Sequence, residues 1–412
     1  MNAKKQTLWT AGFTRITVAT VLTAVGGEAM NLPISLLVFD ETGSTLLSAL
    51  VLVCGMLPDV LISILIAPFI DKGGKKKWIV GSDFLTAVLY LAMGWYVGRH
   101  EFSYGLYLVF VLVIGTISVC YRLAYNAWYP DLIPVGLEQK GYSVSNTIYP
   151  IVTIAMSPIA AFLYEKISMG EIFFLVAAIT FAAVVVESGI AEKRKEQEES
   201  YTFRRYWADI REGFAYLKKE KGIRNIYTYM SITQGTSEGT TILTQAFYQT
   251  MPYLTVTMLG FLKSAEMVGR FLGGLLQYRK EIPVKKRYAF TKMVYTVYNL
   301  LDIILLFLPY PLMLLNRFIG GALGISSATI RETAVQCYLP EHMRARVNAF
   351  FNMAMSFGCV IFQLAAGSMG QWMSYRRGVV LISSFGMLCM VVLIVLPAKE
   401  NRPIYEAVRS KS

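Results

Sequence analysis

Long apolar stretches recur from one end of the chain to the other, and short polar or charged segments separate them. About 20 consecutive apolar residues are enough for a helix to cross the hydrocarbon core of a bilayer. We therefore predict an all-α membrane protein with twelve transmembrane helices. The predicted spans are 12–39, 45–70, 78–98, 103–127, 143–166, 171–191, 225–248, 253–278, 287–308, 310–337, 347–373 and 377–397.

Composition supports this interpretation. The chain has 412 residues, of which 55% are hydrophobic and 16% are charged. Soluble proteins carry about 25% charged residues, so much of this protein's surface must face something other than water. The ninth and tenth spans are separated only by the four residues Leu308-Pro309-Tyr310-Pro311.

The distribution of cations predicts the topology. An even number of spans places both termini on one side of the membrane. Of the 39 Lys and Arg residues, 29 lie in or beside the segments on the side of the termini, and four lie in or beside the opposite loops. Because cytoplasmic loops are enriched in Lys and Arg, both termini are predicted to be cytoplasmic. The same cations account for the net charge of +12, and anionic lipid headgroups are their expected partners.

Several other classes of protein do not fit the sequence. No basic stripe with stacking aromatic residues lies outside the loops, so no nucleic-acid partner is expected. The five cysteines all fall within predicted spans and form no CxxC pair, so we expect no metal and no other cofactor. The chain has no phosphate-binding Gly-Lys-Ser/Thr loop and no Ser-His-Asp set, so we expect no enzymatic activity. We expect a monomer.

Residues 192–223 interrupt the regular succession of apolar stretches and separate the first six predicted spans from the last six. A charged run covers 192–199, and behind it Trp207, Phe214 and Leu217 recur at helical spacing. This pattern predicts an amphipathic helix on the inner membrane surface, although the charged run itself fits a simple tether equally well. The predicted organisation is a six-helix bundle at 1–191, a cytoplasmic linker at 192–223, a second six-helix bundle at 224–398 and a cytoplasmic tail at 399–412.

The two halves show signs of an internal repeat. Asp59 in the second span corresponds to Glu266 in the eighth span, 207 positions later. Asn146 corresponds to Asn352 at an offset of 206. Many membrane transporters build a central site from two such repeats.

The chain resembles a known family in its short motifs. The segment Ala67-Pro68-Phe69-Ile70-Asp71-Lys72-Gly73-Gly74-Lys75-Lys76-Lys77 resembles the signature loop between the second and third helices of major facilitator transporters. Ala67 and Lys72 depart from the usual Gly and Arg. More narrowly, Asp40-Glu41-Thr42-Gly43-Ser44, Gly81-Ser82-Asp83 and Ser157-Pro158 resemble the macrolide-efflux branch of drug:proton antiporters.

The resemblance implies two pseudo-symmetric six-helix bundles that transport a small molecule. It also implies that Asp71 approaches the inner end of the eleventh helix, so that the loop acts as a gate. The residues expected to form this gate are Asp71, Lys72, Lys75, Lys76 and Arg346. Anchoring of the cytoplasmic side also explains the lysines without any gate.

Acidic residues at middle depth are the candidates for function. An ionisable side chain inside the bilayer costs about 2.5 kcal/mol or more, so its presence there needs a reason. Both histidines lie in loops, and proton coupling would therefore use carboxylates. The predicted residues for proton coupling and the substrate cavity are Glu28, Asp59, Glu238, Glu266, Asn31, Lys263 and Arg270.

Each candidate also has a structural interpretation. Glu28 could instead be a carboxyl bonded to a neighbouring helix, and the polar stretch around Glu238 could serve interhelical hydrogen bonds. Lys263, Glu266 and Arg270 share one helical face, so they form either a satisfied ion network or one that substrate binding breaks. Asp83 and Arg122 lie at similar depths in the third and fourth spans and are predicted to form a structural charge pair.

The leading hypothesis is a transporter that exports small amphipathic molecules, by alternating access, in exchange for protons. Its expected partners are a small-molecule substrate and protons. A symporter for a polar nutrient or an anion is the alternative, in which Lys263 or Arg270 would bind the anion. A membrane scaffold or sensor without transport is the third possibility.

Overall fold

The computed structural model describes residues 7–61, 66, 70, 74–191, 203–279 and 282–407, and these residues are almost entirely helical. Over this part of the chain the all-α prediction is confirmed. A 3-10 turn at Leu305–Phe307 and a π-helical segment at Val391–Val395 follow two of the helices. The helices are α1 (Ala11–Thr42), α2 (Thr45–Leu61), α3 (Lys75–Val97), α4 (Tyr104–Leu132), α5 (Glu138–Lys166), α6 (Met169–Ser188), α7 (Phe203–Lys219), α8 (Lys221–Thr250), α9 (Val256–Arg279), α10 (Val284–Ile304), α11 (Tyr310–Tyr338), α12 (Glu341–Trp372), α13 (Tyr375–Met390) and α14 (Ala398–Tyr405).

Each predicted span overlaps one of these helices, and nine helices in the described part of the chain are long and apolar enough to cross a membrane. α2 contributes a shorter apolar stretch, Thr45–Asp59. α9 is less apolar because Lys263, Glu266 and Arg270 fall within it, and α8 is rich in threonine, serine and glutamine. A total of twelve crossings therefore remains a prediction.

The break between the ninth and tenth spans is confirmed. α10 ends at Ile304 and α11 begins at Tyr310. Between them Leu308 and Pro309 have extended backbones, with ψ angles of 151° and 153°. A residue that precedes a proline disfavours the helical conformation, which explains Leu308. Pro311 lies in the first turn of α11, where the lack of an N–H costs nothing.

A helix, α7, lies within the predicted linker 192–223 and contains the apolar residues recognised from their spacing. In α7, Trp207 and Phe214 are exposed, whereas Leu217 is buried. The charged run at 192–199 lies outside the described residues. That α7 rests on the inner membrane surface remains a prediction.

Packing divides the chain into two units. The first comprises Met1–Leu37 with Cys54–Phe203, and the second comprises Val38–Val53 with Arg204–Ser412. Within the first unit, α3 packs along α6 and α4. Within the second, α9 packs along α11, and α8 packs along α12 and α13. The bundle boundaries at 191 and 223 remain predictions.

Glycine allows two pairs of helices in the second unit to approach closely. A Cβ atom on Gly321 of α11 would overlap the backbone carbonyl oxygen of Glu266 in α9. A Cβ atom on Gly358 of α12 would likewise overlap the backbone of Ser231 in α8. Small residues at such positions let helix backbones touch in a membrane, where van der Waals packing drives association. The Gly321 contact brings the backbone of α9 at Glu266 directly against α11.

The segment predicted as a tail begins with a packed helix, α14. Asn401, Ile404 and Tyr405 are almost fully buried. The Asn401 side-chain amide donates to the carbonyl oxygens of Leu393 and Ile394 at 2.7 and 3.1 Å. These carbonyls belong to the π-helical segment at the end of a helix, where backbone acceptors need partners from outside the helix.

Replacing Asn401 with leucine should lower the free energy of unfolding by about 1–3 kcal/mol, because a buried acceptor would lose its donor. Thermal unfolding of the purified protein in detergent measures the effect. Lys399→Leu, on the exposed side of the same helix, is the matched control. Equal unfolding midpoints for the two variants would contradict the assigned role of Asn401.

Candidate functional site

Glu238 of α8 lies among neutral partners in the second unit. Its two carboxylate oxygens accept hydrogen bonds from the side-chain amides of Gln234, at 3.3 Å, and of Gln363 in α12, at 3.4 Å. Gln363 is only 2% exposed, whereas Glu238 is partly exposed. Lys263 and Glu266 on α9 act on Glu238 electrostatically. The structure therefore brings the predicted acid of α8 to the charged face of α9.

The charged face of α9 contains a closed ion pair. Arg270 donates to Glu266 Oε1 from Nη2 at 2.9 Å and from Nε at 3.2 Å. The Glu266 side chain is 20% exposed and that of Arg270 is 42% exposed. Both side chains keep some exposure, so opening the pair would leave neither charge in a fully closed interior. The geometry of Lys263, Glu266 and Arg270 therefore fits both a satisfied ion network and a network that substrate binding breaks.

A buried ion pair on α10 and α11 was missed by the sequence analysis. Arg317 Nη1 lies 2.9 Å from Asp302 Oδ1, and the two side chains are 12% and 8% exposed. Tyr298, one turn before Asp302, is within electrostatic range of Asp302, Glu266 and Arg317. Its hydroxyl lies 3.5 Å from the Ser237 hydroxyl. The second unit thus holds a continuous polar layer from α8 through α9 and α10 to α11. The sequence signal for Arg317 was its position as a cation inside a predicted apolar span.

Glu28 of α1 is partly exposed in the first unit. Its Oε1 accepts a hydrogen bond from the Thr153 hydroxyl of α5 at 3.1 Å. Tyr149, one turn before Thr153, is within electrostatic range of the same carboxylate. Asn31, one turn further along α1, is exposed. The structure therefore places the partly exposed Glu28 side chain against α5.

The predicted pair between Asp83 and Arg122 is wrong. Arg122 of α4 forms an ion pair with Asp59 of α2 instead. The side chains of Arg122 and Asp59 are 51% and 45% exposed, so this pair needs little desolvation. Asp83 is 4% exposed and accepts a hydrogen bond from the Thr23 hydroxyl. Burying the Arg122 guanidinium beside Asp83 would cost more than leaving it half exposed beside Asp59.

Glu187 was also missed, although it is fully buried at the end of α6. Its Oε1 accepts a hydrogen bond from the Tyr121 hydroxyl at 3.2 Å. The sequence placed Glu187 near the end of a span, where an acid can reach the membrane surface. The packing of α6 against α3 shows that the Glu187 side chain is enclosed instead.

Two of the predicted gating lysines bind helix ends in the first unit. Lys75 Nζ donates to the Ala127 carbonyl oxygen at 2.9 Å and lies 3.7 Å from Asp131, near the end of α4. Lys76 Nζ donates to the carbonyl oxygen of Ser188, the last residue of α6, at 2.7 Å. Cations at helix C-termini interact favourably with the macrodipole.

The remaining gating residues fall on parts of the chain that the structure does not describe. Asp71 and Lys72 lie outside the described residues, as does the side chain of Arg346. Their role in a gate stays a prediction.

The turn between α1 and α2 makes close contacts with α12 inside the second unit. Gln371 Nε2 donates to Ser44 Oγ at 2.6 Å, and Thr45 Oγ1 donates to the Gly367 carbonyl oxygen at 2.6 Å. An ideal Cβ atom on Gly370 would lie 3.0 Å from Cβ of Thr45. Glycine at 370 is what permits α12 to come this near to the start of α2.

The chain is similar to known transport proteins. A family model described as Major Facilitator Superfamily matches residues 16–301. Macrolide efflux protein A of Streptococcus pyogenes is 22% identical over 291 residues, which make up 68% of this chain and 70% of that protein.

Solved structures show the same fold. A bacterial homolog of the human lysosomal transporter Spinster, inward-facing and occupied, superposes with a TM-score of 0.69 at 11% identity, covering 97% of this chain and 98% of that one. The nucleoside transporter NupG superposes with a TM-score of 0.65 at 12% identity, covering 93% of this chain and 98% of that one. At these identities the likeness concerns the fold alone.

Proposed function

Because the chain belongs to the Major Facilitator Superfamily, a family of multi-pass membrane transporters, we propose that it exports small amphipathic molecules from the cell in exchange for protons. Export is supported by the similarity to macrolide efflux protein A. The cell membrane is its location. We further propose twelve crossings with both termini in the cytoplasm, for which the excess of Lys and Arg on that side is the support.

The hydrogen bonding of Glu238 is the observation that carries the proposal. Both of its oxygens accept from neutral amides, those of Gln234 and Gln363. A carboxylate held this way can take up a proton without stranding a buried cation, whereas Asp302 cannot, because Arg317 would lose its counter-ion. Glu28 in the first unit is a second carboxylate with a neutral hydrogen-bond donor, the Thr153 hydroxyl. The two acids would exchange protons and substrate alternately as access alternates between the two sides.

The charged face of α9 supports a role in recognising charge on the substrate. Lys263, Glu266 and Arg270 lie together with Glu238. A cationic substrate would compete with Arg270 for Glu266. In the proposed cycle the substrate displaces Arg270, and proton binding at Glu238 releases the substrate.

Proton flux in proteoliposomes tests this function. A pH-sensitive dye inside the vesicles should report proton movement when a macrolide or a lipophilic cation is added to the purified protein. Glu238→Gln, and Glu28→Gln combined with Asp59→Asn, should each reduce this flux to the level of protein-free vesicles. Glu138→Gln, at an exposed position, is the control and should keep the flux. Unchanged exchange in both acid variants would overturn proton antiport by these residues.

Uptake of a polar or anionic solute is the second candidate. The cations Lys263 and Arg270 on one face favour it, since they could bind an anion. Accumulation of a radiolabelled anion or nucleoside by the proteoliposomes, together with an absence of drug-evoked proton flux, would select this function.

A further inference from the structure

Asp83 of α3 and Glu187 of α6 form a pair of buried acids that the proposed transport site does not use. Asp83 is 4% exposed and Glu187 is 0% exposed. The two carboxyls act on each other electrostatically, and both act on the Tyr121 hydroxyl of α4 between them. They lie within one unit, on helices that pack along each other.

The hydrogen bonds to this pair are few and come from neutral groups. Thr23 of α1 donates its hydroxyl to Asp83 Oδ2 at 3.0 Å, and Tyr121 donates to Glu187 Oε1 at 3.2 Å. Glu187 Oε2 is buried and has no hydrogen-bond partner among the described residues. A carboxylate oxygen without a donor is costly in a dry interior, whereas a carboxyl oxygen that carries a proton is not.

The cations around the pair bind other groups. Lys76 binds the carbonyl oxygen of Ser188, and Arg15 binds that of Gly189. Both contacts lie just beyond Glu187 at the end of α6. Arg122, which follows Tyr121 in α4, is paired with Asp59. Neither buried acid forms an ion pair within the part of the chain that the structure describes.

The other titratable groups that face the pair are tyrosines. Tyr90 lies on the same helix as Asp83 and is buried beside it. Tyr149 of α5 is within electrostatic range of both Asp83 and Glu28. A neutral phenol does not compensate a carboxylate charge. The helices around the pair thus offer neutral groups to it, while the nearby cations bind Ser188, Gly189 and Asp59.

We propose that Asp83 and Glu187 form a proton-binding site inside the first unit, in which at least one of the two carboxyls carries a proton. Two carboxylates close together in a dry place cannot both ionise without a large repulsive cost. Their protons leave in steps that belong to the pair, as in other coupled dyads. The proton resides on Glu187 or Asp83, whose hydrogen-bond donors are the hydroxyls of Tyr121 and Thr23.

Infrared difference spectroscopy tests the site without any substrate. The carbonyl stretch of a protonated carboxyl is separate from the bands of a carboxylate and moves when the protein is transferred to heavy water. The purified wild-type protein should show this stretch at neutral pH and lose it as the pH rises. The double variant with Asp83→Asn and Glu187→Gln should lack this component. Glu171→Gln, on the exposed first turn of the same helix α6, is the matched control, because glutamine can still complete the capping box with Ser168.

A conservative variant covers the case in which the double variant fails to fold. Tyr121→Phe leaves both acids in place and removes only the hydrogen bond to Glu187. The carbonyl stretch should then move to higher frequency, since a carboxyl that loses a donor has a stiffer C=O bond. The site is overturned if the wild-type protein shows no protonated-carboxyl stretch at neutral pH. It is also overturned if the stretch is the same in wild-type protein, Tyr121→Phe and the folded double variant.

This result is independent of the proposed transport cycle. A protein that moves no drug and no protons in vesicles would still show the proton on Asp83 and Glu187. Conversely, Glu238→Gln should abolish drug-evoked proton flux and leave the infrared component of the buried pair in place.

Discussion

Replacing Arg317 with leucine is expected to destabilise the protein by about 3–5 kcal/mol, because the change leaves Asp302 as an unpaired charge in the interior of the second unit. The two side chains are 12% and 8% exposed and are joined at 2.9 Å. We expect a sharp fall in the yield of folded protein in mild detergent and a lower midpoint of thermal unfolding.

Two variants separate the ion pair from simple loss of packing. Changing Asp302 and Arg317 to leucine together should recover most of the stability, since a buried ion pair and an apolar pair of similar volume are often close in free energy. Arg402→Leu removes a comparable Arg–Glu pair in which the arginine side chain is 60% exposed, and it should cost about 1 kcal/mol or less. If the Arg317 single variant is as stable as the Arg402 variant, the interior pair does not have the assigned role.

Cross-linking the start of α2 to α12 is expected to stop transport completely and reversibly. Cysteines at Thr45 and Gly370 would place their Cβ atoms about 3.0 Å apart, slightly closer than the ~3.5–4.5 Å of a disulfide. In the proposed alternating-access cycle a path opens at this end of the helices, and we expect the contacts of Ser44 and Thr45 with α12 to break. Oxidation should therefore abolish drug-evoked flux, and a reducing agent should restore it.

The experiment needs a background without the five native cysteines, which are free in the structure. Each single-cysteine variant, oxidised in the same way, controls for the substitution of Thr45 or Gly370 alone. Mass spectrometry of the intact protein confirms that the bridge has formed. Full transport by a protein whose bridge is complete would show that these helices do not separate during the cycle.

Features that depend on one helix alone could be predicted from the sequence. Each apolar stretch of sufficient length predicted a helix at the observed place, and Pro309 and Pro311 explain the break before α11. The common face of Lys263, Glu266 and Arg270 also follows from a period of 3.6 residues within a single helix. The Glu266–Arg270 ion pair needed no other element.

Features that depend on two or more helices required the tertiary structure. The depth of Arg122 could be read from its position in the sequence, but its rotation toward Asp59 rather than Asp83 could not. The same holds for Arg317 and Asp302, which lie on neighbouring helices, and for Glu187, whose burial depends on α3. Residue spacing sets the direction of a side chain relative to its own helix axis, whereas partners depend on how each helix is rotated against its neighbours. That rotation is set by the packing of many side chains together, and it decided that Asp59 and Asp302 are paired with cations whereas Asp83 and Glu187 accept hydrogen bonds from hydroxyl groups.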